Sequence, residues 1–358
     1  MTAFINRIGT ATPAHDIHAA FIAFASPRLA DARSRIVFGR MAARSGIVHR
    51  YSHLRPGNAA AGEMDAGGFY RAGRFPGTAA RMRAYGTHAL ALALVAVARL
   101  APVAAEISHL IVASCTGFTA PGLDLQLVAA LGLRGDVART TIGFMGCAAA
   151  VPALRAADEA IRADPAARVL VINIELCSLH LQETPDLEVA LSLLLFGDGC
   201  SAALVTADPT GIALADFRSA ILPHSAACIT WTIGDQGFLM HLSGQVPNRI
   251  ATALRADAEA ACPAGLLRGK PAGDIVLWAV HGGGRTVLDA VEAGLGLDGA
   301  ALCHSRQVLH DYGNMSSATI MFVLAAMLVA GAGGAGLAVA FGPGMVAETF
   351  RFHLVARA

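Results

Sequence analysis

The amino-acid sequence predicts a layered α/β fold made of two related halves. Apolar runs that end in small or polar residues recur along the chain, and helix-like segments lie between them. The apolar runs are 109–117, 167–178, 274–284 and 336–344, and the helix-like segments are 147–163 and 284–297. Alternating buried strands and helices imply sheets that are covered on both faces. The pattern before about residue 205 loosely resembles the pattern after it, so we expect halves 1–208 and 209–358.

Local composition predicts the individual elements. Residues 57–78 contain too much glycine for regular structure and are expected to form a long surface loop. Residues 87–101 are rich in Ala and Leu and lack turn residues, which predicts a buried helix. The run HLIVASCTG at 109–117 is short, apolar and closed by a turn, as expected of a buried strand. In such folds the chemistry lies beyond the strand ends, so the residues at those ends are the candidates.

One apolar stretch is long enough to raise the question of a membrane span. Residues 318–346 carry no charge, and a span needs about 20 apolar residues. However, GAGGAG at 331–336 divides the stretch, and no Lys/Arg cluster flanks it. We therefore predict a buried helix near 315–330 and a short strand near 337–341, with no stable membrane insertion.

The composition excludes several classes of protein. The 358 residues include 27 Lys+Arg and 26 Asp+Glu, so the net charge of +1 gives no field that would attract nucleic acid or a membrane surface. Hydrophobic residues make up 55% and charged residues 15%, against roughly 45–50% and 25% in typical domains. This apolar excess argues against general disorder and predicts a large core, with further apolar surface hidden in an oligomer.

The cysteines indicate a reducing compartment. There are seven, an odd number without CxxC pairs, so neither a metal finger nor a disulfide framework is predicted. The opening residues MTAFINRIGTATP do not resemble a secretory signal. We expect free thiols, no bound metal and a cytoplasmic location.

Cys147 is the first candidate for chemistry. It follows Gly146 and opens an Ala-rich helix, where unpaired backbone N–H groups and the helix dipole favour an anion. Together with a neighbouring imidazolium, such a position can lower the pKa of a thiol and produce a nucleophile. The alternative is a small buried apolar residue, which is the commoner role of cysteine.

Two further residues occupy similar positions. His281 follows an apolar strand in VLWAVHGGGRT, and Asn314 follows a glycine at the head of a buried helix in HDYGNMSSATIMFV. Taken singly, the histidine reads as a hydrogen-bonded structural residue and the asparagine as a helix N-cap. Because both lie, like Cys147, at glycine-marked boundaries of buried elements, we predict that the three act together.

These three segments, together with LLLFGDGCSAALV (193–205) and AFGPGMVAETF (340–350), resemble the type III polyketide synthases, the chalcone synthase-like enzymes of the thiolase fold. The resemblance extends from about residue 4 to about residue 352. It implies a homodimer of five-layered αβαβα subunits with two duplicated halves. It also implies acyl-CoA starters and malonyl-CoA extenders as substrates, with no permanently bound cofactor and no metal.

The resemblance also implies a role for each candidate. Cys147 would accept the starter and the growing chain as a thioester, while His281 and Asn314 would hold the thioester oxygen as it gains charge. Decarboxylation of malonyl-CoA itself generates the carbanion, so no strong base is needed. Losing one such donor costs roughly 3–4 kcal/mol of barrier.

Phe196 in LLLFGDG matches the aromatic gatekeeper of the family, where an apolar wall beside the malonyl carboxylate assists loss of CO2. Its alternative is a core phenylalanine before a turn. The other residues implied for the substrate cavity are Cys115, Thr116, Cys177, His180, Trp231, Met240, Ser316 and Phe341.

Met240 stands where plant chalcone synthases carry a second phenylalanine, and a flexible methionine suits an acyl chain better than a flat ring. The hypothesis is an aliphatic starter and an alkylpyrone or alkylresorcinol product; alternatively, Met240 and Trp231 merely repack the wall.

The segment RMAARSGIVHRY (40–51) aligns with the CoA-binding helix of the family, and Arg44 lies at one of its basic positions. Val48 occupies another, so His49 or Arg50 is expected to compensate. Gly283 and Thr286 complete the expected CoA contacts. A solvated charged face is the alternative reading of Arg44.

Two other functions were weighed. A ketoacyl synthase III-type enzyme, which makes a single condensation, shares Cys-His-Asn on the same fold, but HGGGRT lacks the asparagine that commonly follows its histidine, and FGPG matches the polyketide synthase loop. A noncatalytic thiolase-fold acyl-binding protein would require an inert thiol.

Overall fold

The computed structural model describes residues 1–102, 104–331 and 333–355. The α-helices are α1 His18–Ala25, α2 Ala32–Ala43, α3 Thr78–Ala98, α4 Leu123–Leu131, α5 Ala150–Ala163, α6 Leu187–Leu193, α7 Val246–Ala260, α8 Arg285–Leu295, α9 Cys303–Tyr312 and α10 Ala318–Ala330. The strands are β1 Phe4–Ala11, β2 His15–Asp16, β3 Tyr51–Ser52, β4 His109–Ser114, β5 Ala138–Gly143, β6 Val169–Leu176, β7 Asp198–Thr206, β8 Ile212–Ile221, β9 Ile229–Gly234, β10 Gly237–Leu242, β11 Leu277–Val280, β12 Gly334–Gly342 and β13 Val346–Leu354.

Nine strands form one mixed sheet whose order repeats itself. The order is β11-β12-β13-β8-β1-β7-β6-β4-β5. In one half, β1 pairs antiparallel with β7, β7 antiparallel with β6, and β6 parallel with β4. In the other half β8, β13, β12 and β11 pair in the same sequence of directions. The duplication expected from the sequence is therefore present in the topology. The boundary at residue 208, which falls between β7 and β8, stays a prediction.

Alternating side chains build the layers. In β6, Val169 and Val171 face a central core with α5 and α10, whereas Leu170 and Ile172 face an outer core with α3 and α4. In β12, Ala338 and Ala340 face the same central core, and their neighbours face a second outer core with α7, α8 and α9. The two halves of the sheet thus lie on opposite sides of the central helices, and outer helices cover each half. The layers are therefore helix, sheet, helix, sheet and helix, as predicted.

Individual elements agree with the sequence, with two refinements. The apolar stretch after residue 317 forms α10 and β12, and no helix in the described ranges is long and apolar enough to cross a membrane. The predicted helix at 87–101 is the second part of α3, which begins at Thr78. The glycine-rich segment 57–78 is irregular as expected, but it is not merely a surface loop, because Met64 and Tyr70 are buried in a core with α1, α2 and α6.

Candidate active site

Cys147 lies beside helix α5 of the central layer. It sits in the 3-10 turn Gly146–Ala148, directly before helix α5. Its side chain faces a buried cavity that His281 and Asn314 also line. The three residues predicted to act together are therefore brought to one site by three different elements.

Asn314 is the residue whose side chain approaches the thiol. It lies between α9 and α10, and its Oδ1 is 3.9 Å and its Nδ2 4.0 Å from Cys147 Sγ. The amide donates to the carbonyl of Gly283 at 3.2 Å, and Oδ1 accepts from the backbone N–H of Ser316 at 2.8 Å. Both ends of the carboxamide are thus fixed. Helix α10 takes Ser317 as its N-cap residue, so Asn314 is not the cap.

His281 follows strand β11 and is 1% exposed. Its backbone N–H donates to the carbonyl of Val339 at 2.9 Å, which ties it to β12. Within the described ranges neither ring nitrogen has a hydrogen-bond partner. The ring therefore faces the cavity with a donor and an acceptor free. Catalytic hydrogen bonds of this kind commonly tighten only when substrate is bound.

Burial keeps both the thiol and the imidazole neutral. It raises the pKa of Cys147 to about 11, although hydrogen bonding from Ser316 and Asn314 acts in the opposite direction. It lowers the pKa of His281 to about 4. From the sequence, a helix N-terminus and a neighbouring imidazolium could lower the thiol pKa, whereas in this structure burial shifts the pKa of both groups towards their neutral forms. Desolvation is the largest effect on the thiol pKa, because burial disfavours the charged thiolate.

The cavity around these residues has a volume of about 50 Å³ and mostly apolar walls. Its lining includes most of the residues that the sequence assigned to the substrate cavity. Those found there are Cys115, Thr116, Cys177, Phe196, Trp231, Met240, Ser316 and Phe341. Sequence reasoning missed the apolar side chains of the second half, which are Ile229, Leu242, Val246, Ile250 and Val287.

His180 does not line the cavity, which corrects the prediction. Its Nε2 donates to the carbonyl of Thr116 at 2.7 Å, and its Nδ1 accepts from the backbone N–H of Phe238 at 3.0 Å. The ring stacks on Phe238 with centroids 4.2 Å apart, and it meets Trp231 edge-on. Burial lowers its pKa to about 3, so it stays neutral. His180 supports the wall from behind.

Trp231 is held firmly in that wall. Its indole Nε1 donates to the carbonyl of Cys115 at 2.7 Å, and Phe238 packs edge-on against it. It pairs directly with Met240 across the β9–β10 hairpin. Met240 and Trp231 therefore form a single cross-strand pair that closes one side of the cavity.

Phe196 reaches the cavity from the loop before β7. The backbone on either side of it is bonded to Asn314: Gly197 N–H donates to the carbonyl of Asn314 at 3.0 Å, and Asn314 N–H donates to that of Leu195 at 2.8 Å. The loops of Phe196 and Asn314 are thus joined by two backbone hydrogen bonds.

A second cavity of about 300 Å³ lies outside the first and contains Arg44, Gly283 and Thr286, as predicted for the CoA site. The two cavities share four lining residues, Leu242, Val246, Gly283 and Val287, so they lie next to each other. Arg285 also lines the outer cavity and donates to the carbonyl of Arg44 at 3.2 Å. Sequence reasoning missed Arg285, although HGGGRT places it beside Thr286.

Two of the expected CoA contacts are elsewhere. His49 is hydrogen-bonded to Asp16 at 2.7 Å and does not line the outer cavity. Arg50 is fully buried, with its guanidinium turned into the core. The sequence placed both in a basic cluster because it could not show that the chain turns inward after α2.

Glu175 is a buried carboxylate that sequence reasoning overlooked. One of its oxygens accepts from the backbone N–H of Cys115 at 3.0 Å and from the hydroxyl of Thr116 at 2.8 Å, and the other from Ser317 at 2.6 Å. Burial raises its pKa. The signal was a lone acid within the apolar strand VLVINIEL.

A duplicated five-layered fold brings a thiol, an imidazole and a carboxamide to one cavity. This arrangement defines the class of condensing enzymes of the thiolase fold. Comparison with known proteins specifies the family. The model of the N-terminal domain of chalcone and stilbene synthases matches residues 2–209, and that of the C-terminal domain matches residues 214–356. The chain belongs to the chalcone and stilbene synthase family.

Individual relatives agree with this assignment. Over 292 residues the chain is 35% identical to the alpha-pyrone synthesis polyketide synthase-like Pks18 of Mycobacterium tuberculosis, which covers 77% of this chain and 74% of the relative. The structure of 1,3,6,8-tetrahydroxynaphthalene synthase from Streptomyces coelicolor A3(2) matches with a TM-score of 0.85 and 28% identity, covering 99% of this chain and 100% of that one. The structure of PKS-I from the brown alga Ectocarpus siliculosus matches with a TM-score of 0.85 and 28% identity, covering 99% and 98%.

The prediction of a type III polyketide synthase is therefore confirmed. The protein is an acyltransferase that uses acyl-CoA and malonyl-CoA and catalyses decarboxylative condensation.

Proposed function

We propose that Cys147 is the nucleophile of this synthase and that His281 and Asn314 are its catalytic partners. The observation that carries the proposal is the 3.9 Å approach of Asn314 to the thiol inside a cavity that the free ring of His281 also faces. In the loading step the thiol proton passes to the imidazole, and the thiolate attacks the carbonyl carbon of the starter thioester. The bond to the CoA sulfur breaks, and coenzyme A leaves with the proton.

Extension uses the same two donors on a second thioester. His281 N–H and the Asn314 amide bind the carbonyl oxygen of malonyl-CoA, and the bond to its carboxylate carbon breaks to release CO2. The resulting enolate attacks the acyl thioester on Cys147, which forms the new C–C bond and frees the thiolate. Donors that are fixed in advance stabilise such an oxyanion at little reorganisation cost. The carboxamide meets this condition because Gly283 and Ser316 hold it at both ends.

Phe196 is proposed to serve as the wall beside the malonyl carboxylate. It lines the cavity and is joined to the Asn314 loop, so it lies near the oxygen-binding donors. An apolar surface disfavours the carboxylate and thereby assists its conversion to CO2.

The starter is proposed to be aliphatic and the product a pyrone that carries its alkyl chain. The apolar lining supports the first part, since Ile229, Val246 and Ile250 offer no partner for a phenolic hydroxyl. The name of Pks18, which refers to alpha-pyrone synthesis, supports the second. An alkylresorcinol is the alternative ring closure.

A homodimer is proposed for the assembly, and its supporting feature is strand β5. This strand lies at the end of the large sheet, and within the described ranges it pairs only with β4. Five of its six residues are exposed, and Phe118 beside it is 41% exposed. An open sheet edge next to exposed aromatic surface is suited to pairing with a second copy. The seven free cysteines support a reducing, cytoplasmic location.

The test is incubation with a panel of acyl-CoA starters plus malonyl-CoA, with products and enzyme analysed by mass. We expect an acyl adduct on Cys147 and products of several condensations closed into a ring. Cys147→Ala should form neither, whereas Cys262→Ala, which removes an exposed thiol, should form both. Products of one condensation only would assign the chain to the ketoacyl synthase III type of reaction. Normal condensation by Cys147→Ala would refute the proposed nucleophile.

A further inference from the structure

We propose that Arg50 is a positioning residue that sets the gatekeeper Phe196 against Asn314 by clamping the two loops that carry them. This inference rests on the proposed function of Phe196 and Asn314, but it is drawn from contacts outside the cavity. Arg50 follows helix α2, does not line the cavity and is fully buried.

The guanidinium binds the loop of Phe196 directly. Its Nη1 donates to the carbonyl of Leu193 at 2.9 Å and to that of Phe196 itself at 2.8 Å. These two carbonyls lie at the end of α6 and at the gatekeeper position. The Arg50 guanidinium therefore fixes the backbone at both ends of the turn from Leu193 to Phe196, which determines where the Phe196 ring lies.

The aliphatic part of Arg50 contacts both loops. A Cβ on Gly197 would lie 3.4 Å from Arg50 Cβ, and a Cβ on Gly313, whose φ is 67°, would lie 2.8 Å from Arg50 Cγ. Gly313 immediately precedes Asn314, and Gly197 immediately follows Phe196. Because both loops are glycine where they meet Arg50, the side chain fits closely between the two backbones.

The arginine is itself held from the other side. Its Nε donates to His18 Nδ1 at 2.8 Å, and its guanidinium carbon lies 4.9 Å from the centre of the Phe21 ring. Burial lowers the pKa of His18 to about 4, which keeps the imidazole neutral and able to accept. Thus α1 orients the guanidinium, and the guanidinium orients the loops.

Burying the charge of Arg50 costs folding free energy, which indicates that the side chain has a role beyond packing. In the described ranges Arg50 forms no salt bridge and its Nη2 has no hydrogen-bond partner; Asp16 and Asp198, which raise its pKa from a distance, pair with His49 and His53 instead. Burial lowers its pKa to about 9, so it remains protonated at neutral pH. A buried cation without an ion-pair partner is less stable than an apolar residue of similar size. Its contacts with the two functional loops give a reason for its presence.

The expected consequence is a loss of rate without loss of the nucleophile. A misplacement of about 1 Å in an active site costs roughly a hundredfold in rate. Arg50→Met keeps an unbranched apolar stem but removes the donors, so we expect kcat for condensation to fall about tenfold to a hundredfold. Cys147 should still be alkylated by iodoacetamide, as detected by mass, because Arg50 does not line the cavity that contains the thiol. Arg50→Lys should recover part of kcat.

The deciding experiment is a double-mutant cycle with Phe196→Ala, using Arg81→Met as the matched control. Arg81 is also fully buried, and its Nη1 donates to the carbonyls of Leu179 and Leu181. Like that of Arg50, its Nη2 has no hydrogen-bond partner among the described residues. If Arg50 acts through Phe196, Arg50→Met should reduce kcat far less when Phe196 is already alanine. Arg81→Met should act independently of Phe196→Ala.

Amide exchange provides a readout that does not depend on the reaction. The Gly197 N–H, which donates to Asn314, should exchange faster in Arg50→Met and in Arg50→Lys than in Arg81→Met. Additive effects of Arg50→Met and Phe196→Ala, or unchanged exchange at Gly197, would overturn the proposal. If Cys147→Ala still condensed, the proposed function would fail, while the exchange result would still report on the clamp. If Arg50→Met does not fold, Arg50→Lys carries the same cycle.

Discussion

Asn314 Oδ1 lies 3.9 Å from Cys147 Sγ across 167 residues of sequence, and each residue lies within one turn before the central helix of its own half. The pairs β6–β7 and β12–β13 occupy equivalent places in the sheet. The site is therefore formed at the junction of the two copies, and neither copy contains it alone. The thiol comes from one half, and the imidazole and the carboxamide come from the other.

Replacing the carboxamide should impair condensation more than stability. Asn314→Ala removes one of two oxyanion donors, which costs roughly 3–4 kcal/mol of barrier, or about a hundredfold to a thousandfold in kcat. Malonyl-CoA decarboxylation, measured as CO2 release, should fall in parallel. Asn173→Ala is the control, since Asn173 is a buried asparagine of β6 that does not line the cavity. Normal turnover by Asn314→Ala would contradict its role.

The buried imidazole of His281 should make the protein less stable in acid. Its pKa is about 4 in the folded state against about 6.5 in the unfolded chain, so the unfolded state binds the proton between these values. Stability therefore rises with pH through this window and is lost as the pH falls from about 6.5 towards 4. At pH 5 the contribution of His281 is about 2 kcal/mol of destabilisation relative to neutral pH.

Denaturant unfolding of His281→Gln at pH 7.5 and pH 5, at fixed protein concentration, measures this contribution. The variant should lose less stability between the two pH values than the original protein, because glutamine does not titrate. His18 and His180, whose pKa values burial lowers to about 4 and about 3, still titrate in both proteins and cancel in the comparison. An identical loss in the two proteins would show that the His281 ring is not buried in solution.

Trp231 should limit the length of the starter. It closes one side of a cavity of about 50 Å³, and its indole is anchored to the carbonyl of Cys115. Trp231→Gly should raise kcat/KM for long acyl-CoA relative to short acyl-CoA, whereas Trp231→Phe should change the preference less. Trp278→Phe alters the only other tryptophan, which lies in the outer core, and should leave the preference unchanged. The same chain-length profile in all three variants would mean that the acyl chain leaves the cavity by another wall.

The basic pair of the outer cavity should govern binding rather than chemistry. Arg44 and Arg285 both line the outer cavity, and phosphate groups favour such guanidinium partners. The double variant Arg44→Ala/Arg285→Ala should raise KM for malonyl-CoA about tenfold, leave kcat nearly unchanged and reduce the salt dependence of KM. Arg33→Ala, on the exposed face of α2 but outside this cavity, is the control. A fall in kcat without a change in KM would argue against a role in CoA binding.

The sequence could predict those parts of the site that local patterns mark. Cys147, His281 and Asn314 each stand beside glycine at the boundary of a buried element, and the layered architecture follows from alternating apolar runs. A local pattern also argued against a membrane span, because GAGGAG separates the apolar stretch into helix α10 and strand β12. Such signals survive because they depend on residues that are neighbours in the chain.

The rest depends on packing between distant segments. The sequence predicted that both His180 and Trp231 line the cavity. In the structure only Trp231 does, because His180 stacks on Phe238 behind Trp231. Arg50 was predicted to bind CoA because it follows other basic residues in the sequence. In the structure the chain turns inward after α2, and Arg50 is buried. The rise in the pKa of Cys147 could not be predicted, because no sequence pattern reports how deeply a thiol is buried.

The position of β1 also has a consequence for biosynthesis. Phe4 pairs with Thr206 and with Ala213, both of which are synthesised much later than Phe4. During synthesis this strand stays unpaired until those residues have emerged. Such delayed closure slows folding and exposes the nascent chain to aggregation. Successful production of the enzyme in a foreign host should therefore respond strongly to chaperone supply and to the speed of translation.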